Sequence, residues 1–309
     1  MFESGAATMR DALTQLERYA HADHTCILLE GERGCGKSVL ARYAHDHSPR
    51  RTRPFRTLSL AATDDALASS ELFGHTKGAF TGADHARQGA IIATTGGTLF
   101  LDEIGKASKL VQGKLLHVVE ESGELYPVGS DRSVPSDTRF IFAANEGLES
   151  LVATDKFLAD LYDRISAFAI HIPPLRDRTC DIAPLARHTA RHRASRCGYT
   201  DGPPAFDDAL LHALESDPWP GNIRELITAV ERIMIDAAGA RTLTLAHCTG
   251  KLARLRSNRP TRRGTLTRAL VMQAITDAHG NKTIAAATLG VSRKTVHEYA
   301  RNQTPRATL

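Results

Sequence analysis

Three glycines, a lysine and a serine follow one another at fixed spacing near the start of the chain. The segment reads Gly31-Glu32-Arg33-Gly34-Cys35-Gly36-Lys37-Ser38 and fits the pattern GxxxxGK[ST]. Glycines at these positions let backbone N–H groups close around phosphate oxygens, and the start of a following helix adds partial positive charge. Lys37 is expected to reach the outer phosphates and Ser38 to bind a magnesium ion. The segment therefore predicts a phosphate-binding loop, and all eight residues are assigned to it.

Two carboxylates, Asp102 and Glu103, end the apolar segment Thr98 to Glu103. If this segment is a parallel strand, the pair lies at the carboxyl edge of the sheet, where open parallel sheets place ligands. Asp102 would then orient magnesium through its bound waters, and Glu103 would polarise the water that attacks the terminal phosphate. Two acids at the end of a strand are often just part of a solvated loop. Their position after a phosphate-binding loop favours nucleotide hydrolysis.

The elements that would hold these residues alternate between short apolar runs and segments of helical spacing. The runs interpreted as strands are Thr25 to Glu30, Phe55 to Leu60, Thr98 to Glu103, Thr138 to Asn145 and Phe168 to Ile172. This alternation predicts an α/β fold, with a parallel sheet covered by helices on both faces. From Pro173 onward the pattern is helical alone. The expected domains are an α/β nucleotide-binding domain (1–173), a helical lid domain (174–250), a basic linker (251–264) and a terminal module (265–309).

The composition is that of a globular protein with more than one domain. The chain has 309 residues, of which 42% are apolar, enough to bury sizeable cores. No run approaches the roughly 20 apolar residues of a membrane span, and the first residues lack a signal-peptide pattern, so we expect a cytoplasmic protein without a membrane partner. The five cysteines form no CxxC pair and the histidines form no HExxH motif. A disulfide framework or a zinc site is therefore disfavoured.

Positive charge is concentrated at the C-terminal end. Residues 250–309 contain twelve Lys or Arg and two acids, a net charge of +10, against +4 for the whole chain. Apolar spacing predicts helices over Leu266 to His279, Lys282 to Leu289 and Arg293 to Asn302. This helix-turn-helix spacing favours double-stranded DNA as the partner over a solvated charge run or a structural helical hairpin. The candidate DNA contacts are Ser292, Arg293, Lys294, Thr295 and His297.

Residues Gly78 to Ala83 read Gly-Ala-Phe-Thr-Gly-Ala, and here the sequence resembles the AAA+ activators of RNA polymerase carrying sigma-54. This hexapeptide is expected by chance in about one chain in 100,000 of this length. The resemblance spans nearly the whole chain, including a C-terminal module similar to the Fis type. The other matching segments are GGTLFLDEI from Gly96, GKLLHVVEESGEL from Gly113, FLADLYDRI from Phe157, PPLRDR from Pro173 and WPGNIREL from Trp219.

The resemblance implies hydrolysis of ATP with Mg²⁺ in a hexameric ring that has nucleotide between its subunits. Arg164 would be an arginine finger offered to the neighbouring subunit, Asn145 the sensor asparagine, and Arg224 a second sensor from the helical domain. Glycines on both sides of Phe80 would let its ring be presented on a mobile tip. The loop residues implied to contact the sigma factor are Gly78, Ala79, Phe80, Thr81, Gly82 and Ala83.

We therefore expect an ATP-driven transcription activator that binds upstream DNA and opens the sigma-54 promoter complex. One rival is a DNA-binding regulator that binds ATP without remodelling polymerase, and another is a general AAA+ unfoldase or DNA motor. The intact GAFTGA segment disfavours both rivals. About two dozen residues precede the first strand, so we expect no receiver, GAF or PAS-like domain there. Control by a regulatory protein acting in trans, or by expression level, is the expectation that follows.

Three residues depart from the family's pattern near the γ-phosphate. Ser59 stands where an asparagine typically restrains the catalytic glutamate, and Ala144 stands where a threonine precedes the sensor Asn145. Leu158 stands where an arginine precedes the finger by six residues. Because these changes weaken or remove polar contacts, they predict slow turnover by this subunit alone and full activity in a mixed hexamer with a related subunit. Compensation by neighbouring side chains, which would leave a homo-hexamer active, is the alternative.

Overall fold

The chain is described here from a computed structural model that covers residues 4–22, 26–61, 65–119, 124–145, 147–257, 268–277 and 281. In chain order, the strands of this part are β1 (Ile27–Glu30), β2 (Phe55–Ser59), β3 (Gly74–His75), β4 (Arg87–Gln88), β5 (Thr98–Asp102), β6 (Glu124–Leu125), β7 (Val134–Pro135), β8 (Arg139–Ala144), β9 (Ala169–His171), β10 (Ala205–Phe206) and β11 (Thr242–Leu243).

The helices of the same part are α1 (Ala7–His21), α2 (Lys37–Asp46), α3 (Asp65–Phe73), α4 (Ala90–Ala93), α5 (Lys109–Val119), α6 (Leu148–Ala153), α7 (Ala159–Ser166), α8 (Ile182–Arg193), α9 (Asp208–Ser216), α10 (Asn222–Asp236), α11 (Arg254–Ser257) and α12 (Arg268–Asp277). Within the described ranges, no helix combines the length and apolar character needed to cross a membrane.

Five strands form one parallel sheet in the order β2-β5-β8-β1-β9. The central strands β1, β5 and β8 are almost wholly buried, as expected of strands covered on both faces. All five strands predicted from the sequence are present, with ends displaced by no more than two residues. The predicted α/β fold is confirmed.

Alternating side chains of the sheet supply two apolar cores. Phe100 and Ile141 pack with the buried faces of α1 and α2. Their neighbours Leu99 and Phe142 point to the other face and pack with α3, α5 and α7. This period of two is the geometry of a strand. The sheet is therefore fixed from both sides, and its carboxyl edge is a rigid platform for the residues that follow β1, β5 and β8.

A second, helical domain is organised around Trp219. Its indole is fully buried, and Nε1 donates a hydrogen bond of 2.7 Å to the Leu214 carbonyl oxygen. Leu252 and Leu255 are buried in the same core. The predicted linker therefore begins too early in the chain, since 251–257 belong to the helical domain. Sequence spacing missed this because the segment is a short 3₁₀ turn followed by one helical turn, and its positive charges stood out more than its two leucines.

Candidate active site

The phosphate-binding loop connects β1 to α2, as predicted. Gly34 and Gly36 have φ angles of 79° and 109°, left-handed values that favour glycine. Gly34 is constrained a second time, because a Cβ there would overlap the carbonyl oxygen of Gly221 in the helical domain. Ser38 lies exposed in the first turn of α2. The glycine spacing thus serves both the turns of the loop and the close packing of the helical domain.

Lys37 joins two segments that are distant in the sequence. Its Nζ donates hydrogen bonds to the carbonyl oxygens of Gly31 and Glu32 at 2.7 and 3.0 Å, and to Oδ1 of Asn145 at 2.8 Å. Burial lowers the pKa of Lys37, while the negative charges of the carboxylates that end β5 oppose that shift. The structure therefore brings together the loop lysine and the asparagine that follows β8.

The acidic pair lies at the predicted edge of the sheet. Asp102 ends β5 beside Ser59 of β2, and its Oδ1 accepts a hydrogen bond of 2.9 Å from the backbone N–H of Glu103. Glu103 has φ of 58°, an uncommon backbone conformation for a residue other than glycine, and one often found at functional sites. A cleft of about 450 Å³ opens here, lined by Glu32, Arg33, Glu103, Gly105, Lys106, Ala144, Asn145, Leu148, Leu151 and Pro220.

The helical domain closes on the loop through the first residue of α10. Asn222 is fully buried, and its Nδ2 donates to Oε2 of Glu32 and to the Arg33 carbonyl oxygen, both at 3.1 Å. Its Oδ1 accepts from the backbone N–H of Leu175 at 2.7 Å. Asn222 has φ of 53°, within the left-handed region that asparagine tolerates better than most residues. This side chain joins three backbone segments, and the sequence reasoning did not select it.

Two arginines of the PPLRDR segment reinforce that junction. Arg176 binds the Glu32 carboxylate with two hydrogen bonds of 2.7 and 2.8 Å. Chiefly through this pair, the pKa of Glu32 is lowered to about 2. Arg178 is buried, and its Nη2 donates to the Cys35 carbonyl oxygen at 2.6 Å. The PPLRDR segment is part of the family resemblance, so motif context could identify both residues but spacing alone could not.

The arginine predicted as a second sensor and the arginine predicted as a finger lie in different places. Arg224, in the first turn of α10, has its Cβ 3.2 Å from where a Cβ on Gly34 would stand, so it belongs to the loop's own surroundings. Arg164 is exposed on α7, where its Nε donates to the Val119 carbonyl oxygen at 3.3 Å. Burial raises the pKa of Cys26 to about 11, and the positive charge of Arg164 opposes that shift, so Arg164 lies near Cys26. Cys26 precedes β1, whereas the phosphate-binding loop follows β1. The structure therefore places Arg164 towards the opposite end of that strand from its own chain's loop.

The GAFTGA loop lies between the paired strands β3 and β4. Gly78 and Gly82 have φ of 80° and 95°, and a Cβ on either would meet nothing within 4 Å. Phe80 is 40% exposed and Ala83 is buried at 5%. Thr81 is exposed and Ala79 is half-buried. The loop presents its central residues outward, with Ala83 turned towards the protein.

The structure describes little of the terminal module. Helix α12 agrees with the first predicted helix, over Leu266 to His279. The five candidate DNA contacts from Ser292 to His297 lie outside the described residues.

A phosphate-binding loop on a parallel sheet, an acidic pair on a neighbouring strand and a helical lid define a P-loop nucleoside triphosphatase of the AAA+ class. Comparison with known families matches residues 3–171 to the Sigma-54 interaction domain, 176–264 to the AAA+ ATPase lid domain and 265–298 to the Bacterial regulatory protein, Fis family. The chain belongs to the family of sigma-54 transcription activators, with an AAA+ domain and a Fis-type DNA-binding module.

Similar proteins include other transcription regulators. The chain is 45% identical over 224 residues to the Nif-specific regulatory protein of Azospirillum lipoferum, covering 72% of this chain and 35% of that protein. It is 40% identical over 297 residues to the transcriptional regulatory protein ZraR of Salmonella typhimurium, covering 93% of this chain and 65% of that one. The chain thus spans about one third to two thirds of the length of these relatives.

The fold also resembles a solved structure of the same architecture. NtrX from Brucella abortus in complex with ATP superposes with a TM-score of 0.71 at 27% identity, covering 96% of this chain and 68% of that one. NtrX in complex with ADP gives a TM-score of 0.74 at 25% identity, with the same coverage.

Proposed function

We propose that this chain hydrolyses ATP and uses the GAFTGA loop to remodel the closed complex of sigma-54 RNA polymerase. The observation that carries the proposal is that Glu103 and Asn145, which follow β5 and β8, line one cleft, and that Asn145 accepts a hydrogen bond from Lys37 at the start of α2. The same domain carries a glycine-flanked aromatic on an exposed loop. Together these features supply a site for phosphoryl transfer and a surface that a change in that site can move.

Each residue in and beside the cleft has a definite task in phosphoryl transfer. Lys37 neutralises the outer phosphates, and the hydroxyl of Ser38 and the carboxylate of Asp102 are hard oxygen ligands of the kind Mg²⁺ prefers. Magnesium, when bound, offsets negative charge on the phosphates. Glu103 orients and polarises the attacking water, and Asn145, which already accepts from Lys37, is placed to report on the terminal phosphate. Arg224 adds positive charge from the helical domain.

We propose that the ring completes this site. Arg164 lies towards the opposite end of β1 from its own loop and is exposed, so it is available to a neighbouring subunit's γ-phosphate. A finger supplied in this way stabilises charge that develops during phosphoryl transfer. This arrangement requires a hexamer or other closed ring in which each subunit completes the site of the next.

A reconstituted transcription assay tests the proposal. Purified chain, ATP and a supercoiled template carrying an upstream site should give transcripts with the sigma-54 holoenzyme and none with core polymerase carrying a different sigma factor. Transcripts that need DNA binding but not ATP hydrolysis would instead support a regulator without remodelling activity. Remodelling of unrelated proteins or DNA in the absence of sigma-54 would support a general unfoldase or motor.

The composition of the ring is a separate proposal, which rests on Ser59, Ala144 and Leu158. Leu158 packs partly buried against the apolar core, and its backbone N–H donates to Oε1 of Gln112 at 2.8 Å. Ala144 is buried within β8. Neither side chain can form a hydrogen bond, so we propose that a related subunit supplies the missing arginine in a mixed hexamer. Turnover typical of the family by the pure chain, above its assembly concentration, would rule this out, whereas activation by Leu158→Arg or by an added related subunit would support it.

The terminal module should be separable from the ATPase, and the structure sharpens where to cut. Removing residues after Ser257 keeps Leu252 and Leu255 in their core, whereas a cut at Gly250 would remove both. We expect the chain truncated after Ser257 to retain ATP turnover and to lose salt-sensitive DNA binding, because the Fis-type module supplies the phosphate contacts. Filter binding over a range of salt concentrations measures this. Unchanged affinity for an upstream site would contradict the assignment.

A further inference from the structure

We infer that His75 is a positioning residue that holds Phe80 against the base of the GAFTGA loop, so that Phe80 must leave this imidazole before it can engage the sigma factor. The inference rests on the proposed function of the loop and concerns how its tip is controlled. The rings of His75 and Phe80 lie edge to face, with centroids 4.9 Å apart and an interplanar angle of 61°. This is a favourable arrangement for an aromatic pair.

The imidazole is itself fixed from two sides. Nε2 lies 3.0 Å from the carbonyl oxygen of His85, on the returning side of the loop, and Nδ1 lies 2.8 Å from Oγ of Ser70 in α3. A carbonyl oxygen can only accept, so the hydrogen-bond geometry assigns a proton to Nε2. In the neutral ring, Nδ1 then accepts from the Ser70 hydroxyl. Both nitrogens are engaged, which sets the orientation of the ring face that Phe80 meets.

The base of the loop is held by backbone hydrogen bonds to a second segment. Thr76 N–H donates to the Val128 carbonyl oxygen at 3.0 Å, and Val128 N–H donates to that of Gly74 at 2.9 Å. The Thr76 hydroxyl donates to the Gly129 carbonyl oxygen at 3.0 Å. The base therefore cannot shift without breaking several bonds. The hydrogen bonds of the tip run within the loop itself, from Gly78 N–H to the Ala83 carbonyl oxygen at 2.9 Å and from Ala83 N–H to that of Phe80 at 3.0 Å, and its two glycines have open space around them.

The position of the tip is therefore controlled by a contact of modest strength, the one between the rings of His75 and Phe80. Phe80 retains 40% exposure, so the His75 ring covers part of an apolar surface that would otherwise face water. An aromatic pair of this kind shifts an equilibrium by about two- to tenfold. That is enough to favour the held position and small enough for a nucleotide-driven movement to overcome.

Fluorine NMR of the full chain labelled with 4-fluorophenylalanine tests the contact without sigma factor or nucleotide. The chain has 10 phenylalanines, and the resonance of Phe80 is assigned by its loss in Phe80→Leu. His75→Ala should move that resonance towards the value in the unfolded chain and leave the others in place. His85→Ala is the matched control, because the structure uses only the backbone carbonyl of His85 in this contact. His75→Phe keeps a ring but loses both hydrogen bonds and adds an eleventh fluorinated ring, and it should displace the Phe80 resonance less than His75→Ala does.

An unchanged Phe80 resonance in His75→Ala would overturn the inference, as would an equal displacement in His85→Ala. Loss of the whole spectrum in His75→Ala would indicate misfolding, and His75→Phe and Ser70→Ala then decide. The inference requires both variants to move the Phe80 resonance part of the way towards its value in the unfolded chain. A separate binding assay with sigma-54 tests the proposed function. If His75→Ala releases Phe80, yet wild type with a transition-state nucleotide analogue does not bind sigma-54, the contact stands and the remodelling proposal fails.

Discussion

The junction between the phosphate-binding loop and the helical domain differs in construction from the GAFTGA loop. At the junction, a fully buried asparagine, a two-bond ion pair and a buried arginine join residues more than 140 positions apart. At the GAFTGA tip, two glycines with open surroundings flank a partly exposed ring that meets one imidazole. The first construction fixes atoms where chemistry needs them to within fractions of an ångström, and the second leaves a surface that can move.

The largest expected effects come from the charges at the cleft. Lys37→Ala should abolish ATP binding, because it removes the cation that we propose faces the outer phosphates. Glu103→Gln should keep ATP binding and lower turnover by about 10²- to 10⁴-fold, since we propose that Glu103 acts mainly in the chemical step. Equilibrium nucleotide binding and steady-state phosphate release separate the two. Lys109→Ala removes an exposed lysine paired with Asp155 and is the control. Wild-type ATP affinity in Lys37→Ala would contradict the site.

A smaller effect should follow from opening the junction itself. Asn222→Ala leaves the Leu175 N–H and the Arg33 carbonyl without their partner and places alanine at a left-handed backbone position. We expect a loss of about 2–4 kcal/mol in the free energy of unfolding. Asn222→Gly keeps the backbone conformation accessible and isolates the hydrogen bonds. Urea denaturation measures both variants. Unfolding of both variants at the wild-type midpoint would show that these hydrogen bonds do not stabilise the junction.

The smallest effect belongs to the exposed pair of Glu32 and Arg176, and it depends on pH. The pKa of Glu32 is lowered from its ordinary value of 4.5 to about 2. The pair should therefore stabilise the folded protein fully above pH 4.5, lose that contribution as pH falls towards 2, and contribute nothing below it. The difference in unfolding midpoint between wild type and Glu32→Gln should follow this course. A difference that instead disappears near pH 7 would exclude Glu32 as its source.

The sequence predicted the features set by neighbouring residues better than those that depend on contacts between distant segments. The glycines of the loop, Asp102, Glu103 and all five strands follow from local patterns, because strand period and turn geometry are written in neighbouring residues. Asn222, Arg176 and Arg178 could not be found in this way, since their partners lie on the other domain and only folding brings them together. The end of the helical domain was missed for a related reason: Leu252 and Leu255 are core residues only because Trp219 and its neighbours leave room for them.

We propose that ATP turnover at the cleft reaches polymerase through the ring of Phe80. The most direct test measures phosphate release and promoter opening together, in one reaction containing sigma-54 holoenzyme and either wild type or Phe80→Leu. We expect Phe80→Leu to release phosphate at the wild-type rate and to form no open complex above background. Open complexes at the wild-type level in Phe80→Leu would contradict the claim.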